Sequence, residues 1–558
     1  MLTIAVVVVL ASPGLSCDLP GGDSCAPPDE AAAIVPAAAL AYVHVNLDGE
    51  TDQYRRASEI AAAVPLFSGE LIDRAVRVLS GGRARAEEFE SEIRPWSAGE
   101  LAFALLEADR EVVLIEVADA QGAGDYADGL RPLGLGVAEP KVEEHDGVEI
   151  SVDANGLATA QVEGFLALGP AEAVRAVIET ASGADGAQSL ADDETAVEVR
   201  EQLPDQRLLE AYVSEDGVAE LIAGSRETLA SFSPLVSPVA SRGIGASVGF
   251  GEQDEVELAL RSVLNAERVE TSPGFFAAFP AFEPTLPARL SSEAFAYAGI
   301  GDPGETVAAL LEQAGTQAPG VAAGFDDLSR RLQRQSDVDI EGELLDGLGD
   351  EGAFSLEPRP EAGDSEPVPA AAPGALPYAG FVADGVDEPS VRKALASLQD
   401  PLAAAVGPGQ NLQAPAFEER ELAGVDARSL RLSPSIELTY AVFDGIAAIA
   451  SDPAAIEQLA EGSGGLDSAE RFERATDAFE DEVSLLAYLD LERLVALGEG
   501  LGLAEDPTYA TFAGEFRRLD ALGLAVVADS QTLASDARLL FGEAEEPETD
   551  APPVVPGD

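Results

Sequence analysis

Apolar and polar residues alternate along this chain in short bursts, and each burst predicts a strand. "AAALAYVHVNLDG", Ala37 to Gly49, sets Ala41, Val43 and Val45 on one face and Tyr42, His44 and Asn46 on the other. "ELAFALLE", Glu100 to Glu107, and "EGAFSLEP", Glu351 to Pro358, predict two more strands, because a short aliphatic and aromatic run is bounded by charge or proline. The first continues almost directly into "EVVLIEVAD". The second reaches "YAGFVADG" only after a proline- and alanine-rich acidic stretch, expected to be a mobile loop over 357–377 because it has little to bury. Helical spacing appears in "SGELIDRAVRVLS", where Leu71, Ala75, Val76 and Leu79 form one stripe, and in "TVAALLEQAG".

One combination occurs twice. "LATAQV" and "FLALG" flank Glu163-Gly164, and "ELTYAVF" and "IAAIA" flank Asp444-Gly445. Glycine accepts a positive φ, so each pair predicts a tight hairpin turn. A helix is expected after each hairpin, started at Pro170 in the first and at Pro453 behind Ser451 or Asp452 in the second. Val174, Val177 and Ile178 would face the core from one helix, Ile456 and Leu459 from the other.

Other segments recur in the same order. "LPDQRLLEAYV" is echoed by "FEDEVSLLAYLDL", and "GIGASVGFGEQDEVELALRSVLN" by "ALGLAVVADSQTLASDARLLFG". Ordered recurrence of this kind predicts an internal duplication. Hairpins without crossovers favour antiparallel or mixed sheets. The expected fold is therefore α+β: two tandem, internally duplicated domains, 31–270 and 285–542, with packed helices. A connector at 271–284 carries "FFAAFPAFEPTLP", read as aromatic packing between the domains. Trp96 is expected to anchor packing.

The length of 558 residues suits more than one core. With 102 Asp and Glu against 33 Lys and Arg the net charge is -69, spread along the chain as a solvated coat. Such a surface repels nucleic acid and anionic membranes. Residues 1–17 look like a secretion or lipoprotein leader: the apolar run Leu2 to Ala11 falls far short of the roughly 20 residues that span a bilayer. Cys17 is a candidate lipid anchor, or else pairs with Cys25 in a small disulfide loop. Residues 18–30 are expected to be a flexible acidic linker and 543–558 a disordered acidic tail.

Catalytic motifs are missing. The chain has no Walker-type "GxxxxGK[ST]", no dinucleotide-binding glycine pattern and no "GxSxG" elbow. His44 and His145 are its only histidines, which argues against a histidine metal centre. His44 falls opposite Gly299 when the copies are compared, so it is expected to be a surface or half-buried residue without a catalytic role. The densest acids, "ADDE" at 191–194 and "DGLGDEG" at 346–352, do not establish the fixed carboxylate separation of a glycosidase. No catalytic, cofactor-binding or metal-ligating residue is therefore expected, and no cofactor.

"LAYVHVNLDG", "EIRPWSAGELAFALL", "EHDGVEI", "VEGFLALGPAEAVRAVIE" and "LPDQRLLEAYV" together resemble DUF3352, an actinobacterial envelope-associated family of unknown function. The resemblance implies a membrane segment or signal at the N-terminus and an extracytoplasmic location. It brings no catalytic or binding residues. The expected function is a secreted or surface-anchored structural, binding or assembly protein, with an envelope protein or cell-surface component as partner. The rival expectation is an extracytoplasmic hydrolase with an acidic cleft.

Overall fold

The computed structural model describes residues 26–65, 89–108, 110–130, 140–224, 239–252, 254–271, 279–317, 319–336, 338, 340–359, 377–406, 416–433, 436–462 and 464–542. Ten strands come from the first half: β1 (Ala41–Asn46), β2 (Ser97–Glu107), β3 (Arg110–Val117), β4 (Lys141–His145), β5 (Val148–Val152), β6 (Leu157–Val162), β7 (Phe165–Pro170), β8 (Leu209–Ser214), β9 (Ser241–Phe250) and β10 (Glu255–Leu264). Ten more follow: β11 (Ala296–Gly301), β12 (Glu351–Glu357), β13 (Tyr378–Asp384), β14 (Glu418–Leu422), β15 (Val425–Ser433), β16 (Ile436–Phe443), β17 (Ile446–Ala450), β18 (Leu485–Asp490), β19 (Leu519–Ala528) and β20 (Thr532–Phe541).

All twenty belong to one sheet. Outward from β10 the neighbours are β9, β8, β1, β2, β3, β7, β6, β5 and β4, each pairing antiparallel. Outward from β20 they are β19, β18, β11, β12, β13, β17, β16, β15 and β14, again antiparallel. β10 and β20 pair with each other, from Glu255 opposite Leu540 to Val263 opposite Thr532. The fold is mixed α/β, with extensive antiparallel sheet and packed helices.

Residues 272–278 of the expected aromatic connector lie outside the described residues. Backbone pairing of β10 with β20 links the halves, while Phe282 of the aromatic connector packs with Leu286, Leu290 and Tyr297 inside the second half's core. Phe282 also bridges Val483, so its backbone is tied to that half as well.

The repeated hairpins form as expected. Glu163 and Gly164 have φ of 44° and 88°, Asp444 and Gly445 of 48° and 79°. Two successive positive φ values are what a type I′ turn requires, and its twist matches that of the strands it joins. The helix Ala171–Ser182 follows the first turn's hairpin and buries Ala173, Val174, Val177 and Ile178 in the first core. After the second, the helix Pro453–Glu461 is capped by Asp452, whose side chain accepts from the Ala454 N–H, and buries Ala455 and Ile456. Each fully buried Val or Ile contributes about 1.5–3 kcal/mol relative to an exposed one. Trp96 is buried against Tyr126, Ile93 and Leu101, as a packing anchor would be.

Among the described residues β4 and β14 close the two ends of the sheet. Their sequences, "KVEEH" and "EEREL", put charge on the open edges, which discourages further strand addition. Among the described residues no helix is long and apolar enough to cross a membrane. The leader with Cys17 and Cys25, the "SGELIDRAVRVLS" stretch, most of the 357–377 loop and the acidic tail lie outside the described residues.

Candidate functional site

Strand register brings together the most unusual residues of the first half. On β1, Tyr42 stands opposite Tyr212 of β8, and His44 opposite Glu210. On the other side His44 faces Ala102 of β2, and Asn46 faces Glu100. The expectation of a surface or half-exposed His44 is wrong: the residue is 1% exposed. Alternation identified its face of the strand but not what covers that face.

The cover is residues 26–36. Within the stretch expected to be a flexible linker, Asp29 accepts from the Tyr42 hydroxyl at 2.6 Å and from the Ala32 N–H at 3.0 Å. Glu100 reaches up from β2 and accepts from the N–H groups of Ala31 at 2.8 Å and Glu30 at 3.3 Å. These bonds satisfy the free donors at the start of the 3-10 turn Ala31–Ala33. Arg200, from the helix Glu194–Glu201, donates to Asp29 at 2.5 Å and lies 3.1 Å from Glu210. Arg207, only 3% exposed, contacts the other Glu210 oxygen through two nitrogens at 2.5 Å and donates to the Pro204 carbonyl.

Three acids, Asp29, Glu100 and Glu210, thus cluster with the buried Arg207 and the partly exposed Arg200. His44 adds an imidazole with neither ring nitrogen hydrogen-bonded, its Nε2 lying 3.5 Å from Glu100 Oε1. That approach is too long for a hydrogen bond. Burial dominates both members. It pushes the Glu100 carboxyl up to about 7, against the Ala31 N–H that pulls it down, and it lowers the imidazole of His44. Burial, with Asp29 beside it, also holds the Tyr42 hydroxyl protonated well above its usual range.

Asp29, His44 and Glu210 bring one ligand-type atom each within 4.8 Å of one another, the minimum composition of a metal site. Their chemistry does not suit an ion. Both oxygens of Asp29 and both of Glu210 already accept from Tyr42, Ala32, Arg200 or Arg207. The Arg200 guanidinium bridges the two carboxylates where a cation would sit.

The second half arranges the matching strands differently. Gly299 of β11 stands opposite Leu486, and Tyr297 opposite Tyr488. A Cβ at Gly299 would lie 2.1 Å from the Tyr297 hydroxyl oxygen, and Phe472 packs edge-on against both tyrosines. Glu351 accepts from the N–H groups of Thr285 and Leu286, at the start of the turn Leu286–Arg289. This region therefore keeps a capping glutamate but has aromatic packing where the first half has its ionic cluster.

The acid-rich stretches single themselves out less than their composition suggests. Asp193 caps the helix Glu194–Glu201 through the Ala196 N–H, Asp192 accepts from the Ser189 hydroxyl, and Glu351 is the cap just described. His145 contacts Glu179 at 2.8 Å near the surface. Carboxylates do gather at one open place, a cleft of about 680 Å³ beside the β10–β20 ladder. Arg56, Glu252, Glu255, Glu257, Asp477 and Arg538 line it. Arg538 contacts Glu257 at 3.0 Å and also reaches Asp477, while burial raises the carboxyl of Glu255 against the pull of Arg538. Sequence spacing could not reveal this cleft, because its walls come from residues more than 200 positions apart.

No curated protein matches this chain. A solved structure, crystal form III of TP0453, aligns over 43% of this chain and 81% of its own, with 8% identity and a TM-score of 0.26. The model of a family described as protein of unknown function, DUF3352, matches residues 1–536, and the chain belongs to that family.

Proposed function

We propose that this is a secreted or surface-anchored structural, binding or assembly protein of the bacterial envelope, with no catalytic role. The observation that carries the proposal is the β10–β20 ladder, which makes the two halves one continuous sheet. Moving one half against the other would break a row of backbone hydrogen bonds, each worth about 0.5–1.5 kcal/mol net. A rigid body of this kind suits the presentation of surfaces, whereas catalysis by closure needs a hinge.

Residues 31–270 and 285–542 are, in this proposal, two copies of one α+β unit. Support comes from the identical strand order outward from β10 and from β20, from the matching positive-φ turns at Glu163-Gly164 and Asp444-Gly445, and from the paired caps Glu100 and Glu351. The first copy's buried acids support a non-catalytic role, since each is committed to an arginine or a backbone N–H. The leader-like N-terminus and the charge of -69 support an extracytoplasmic address, with Cys17 as the lipid anchor.

The test is to express the full chain with its leader in an actinobacterial host, then to determine the mature N-terminus by mass spectrometry and to screen a broad polysaccharide and ester panel. A chain beginning at a lipidated Cys17, or cleaved near it, without turnover is the expected result. Retention of Met1 in a cytoplasmic fraction would overturn the proposed address.

The cleft beside the ladder favours a second reading, an extracytoplasmic hydrolase using Glu255, Glu257 or Asp477. Turnover that disappears in Glu255→Gln or Asp477→Asn would establish it in place of the first. The ties of Arg538 to all three acids weigh against it, because they already occupy those carboxylates.

A further inference from the structure

Residues 26–36 form a strap between the chain's N-terminal region and the sheet. Its own Ala31, Ala32, Ile34 and Val35 are buried in the first core. Two backbone bonds fix its far end, Leu190 N–H to the Val35 carbonyl at 2.8 Å and Ala37 N–H to the Gln188 carbonyl at 2.9 Å. The near end is held by side chains, through Asp29 on Tyr42 and Arg200 and through Glu100 on the N–H groups of Glu30 and Ala31.

Charge at the near end does not balance. Among the described residues Asp29, Glu100 and Glu210 oppose only Arg200 and Arg207, and His44 is buried with both ring nitrogens unbonded. A leftover negative charge among buried side chains is costly, and a proton removes it. His44 and Glu100, 3.5 Å apart, are the pair positioned to hold that proton. Every other group facing them already has a partner: Asp29 from the strap, Tyr42 on β1, Glu116 on β3, Arg200 on its helix, and Arg207 with Glu210 beside β8.

We propose that His44 and Glu100 form a proton-operated latch: one proton on the pair holds the strap on the sheet, and its loss releases the strap. Lifting the strap removes Asp29 from the cluster and opens Glu100 to water, where a carboxylate is stable. Docking therefore takes up a proton. The sign follows from Glu100, whose carboxyl is raised from 4.5 to about 7 when docked. Docking is fully favourable below about 4.5, weakens by about tenfold per pH unit as the pH rises toward 7, and levels off above it. Depression of the imidazole keeps the proton on Glu100 and leaves His44 as its neutral neighbour. In the second half Gly299 stands in place of the histidine, so the proposed latch belongs to the first half alone.

Hydrogen exchange of the full chain between pH 5 and 8 tests this, with rates corrected for intrinsic exchange. The amides of Ala31 and Ala32 are read against that of Leu286, which sits beneath Glu351. Relative protection is expected to fall about tenfold per unit between pH 5 and 7. Glu100→Gln keeps an acceptor but cannot ionise, so its profile is expected to be flat. A flat wild-type profile overturns the latch, even if the variant does not fold. A slope that persists in Glu100→Gln overturns it as well.

Discussion

Arg207 and Glu210 are each held in place by the need to neutralise the other. Truncating either alone leaves a buried charge without its main partner, a loss of about 3–5 kcal/mol. The second half has Val483 and Leu486 at the corresponding places beside Tyr488, both buried in its apolar core. Arg207→Val with Glu210→Leu is therefore expected to be much milder than the sum of the singles. In urea denaturation the cycle should show a coupling of about 2 kcal/mol or more. Additive single effects would mean that the pair does not act as a unit. The same residues mark the limit of local sequence signals. Periodicity puts Tyr42 and His44 on one face, but the Asp29 that closes over them lies outside that strand and reads as linker. Burial of a histidine depends on a covering segment that local alternation cannot contain.

Hairpin turns were the most legible elements. Glu163-Gly164 and Asp444-Gly445 name their own geometry, because the second turn position needs a φ near 80–90° that a side chain resists. Gly164→Ala and Gly445→Ala are each expected to cost about 1–2 kcal/mol. No atom lies within 4 Å of a Cβ built at either position, so the cost is purely conformational. Gly124→Ala provides the contrast. It lies inside the helix Ala120–Gly129, also with open space around it, and the change should stabilise by about 0.5–1 kcal/mol. Thermal melts of the three variants check both signs; equal shifts would show that backbone geometry is not what the turn glycines supply. Pairing of β10 with β20 was illegible for the opposite reason. Each strand carries an ordinary alternating pattern, and nothing local encodes a partner some 280 residues away. Sequential hairpins have their partner written into the turn, while this ladder depends on both halves already being folded.

At the scale of the whole molecule the excess of acids sets the response to salt. A net charge of -69 repels itself over the surface, and at 1 M salt the screening length falls to about 3 Å. The melting temperature is expected to rise with sodium chloride and to rise equally with calcium chloride at matched ionic strength. A larger rise with calcium would reveal a specific cation site within the acidic coat.

Cooperativity tests the continuous sheet most directly. The two halves have separate main cores, one around Tyr42 and Phe165, the other around Tyr297 and Tyr488. Separate cores alone would allow two melting transitions. The β10–β20 ladder opposes this, since unfolding either half strips hydrogen-bond partners from the other, and Arg261 with Asp536 adds a cross-ladder ion pair at 2.8 Å. Calorimetry is therefore expected to give one transition, with the calorimetric enthalpy equal to the van't Hoff value. Ala259 lies in the middle of β10, opposite Ser247 on one side and Asp536 on the other. Proline there cannot donate to the ladder and distorts both pairings. Ala259→Pro should split the single peak into an early transition for the first half and a later one for the second. Two well-separated transitions already present in the wild type, unmoved relative to each other by the proline, would show that the ladder does not couple the halves and that the rigid-body basis of the proposed function fails.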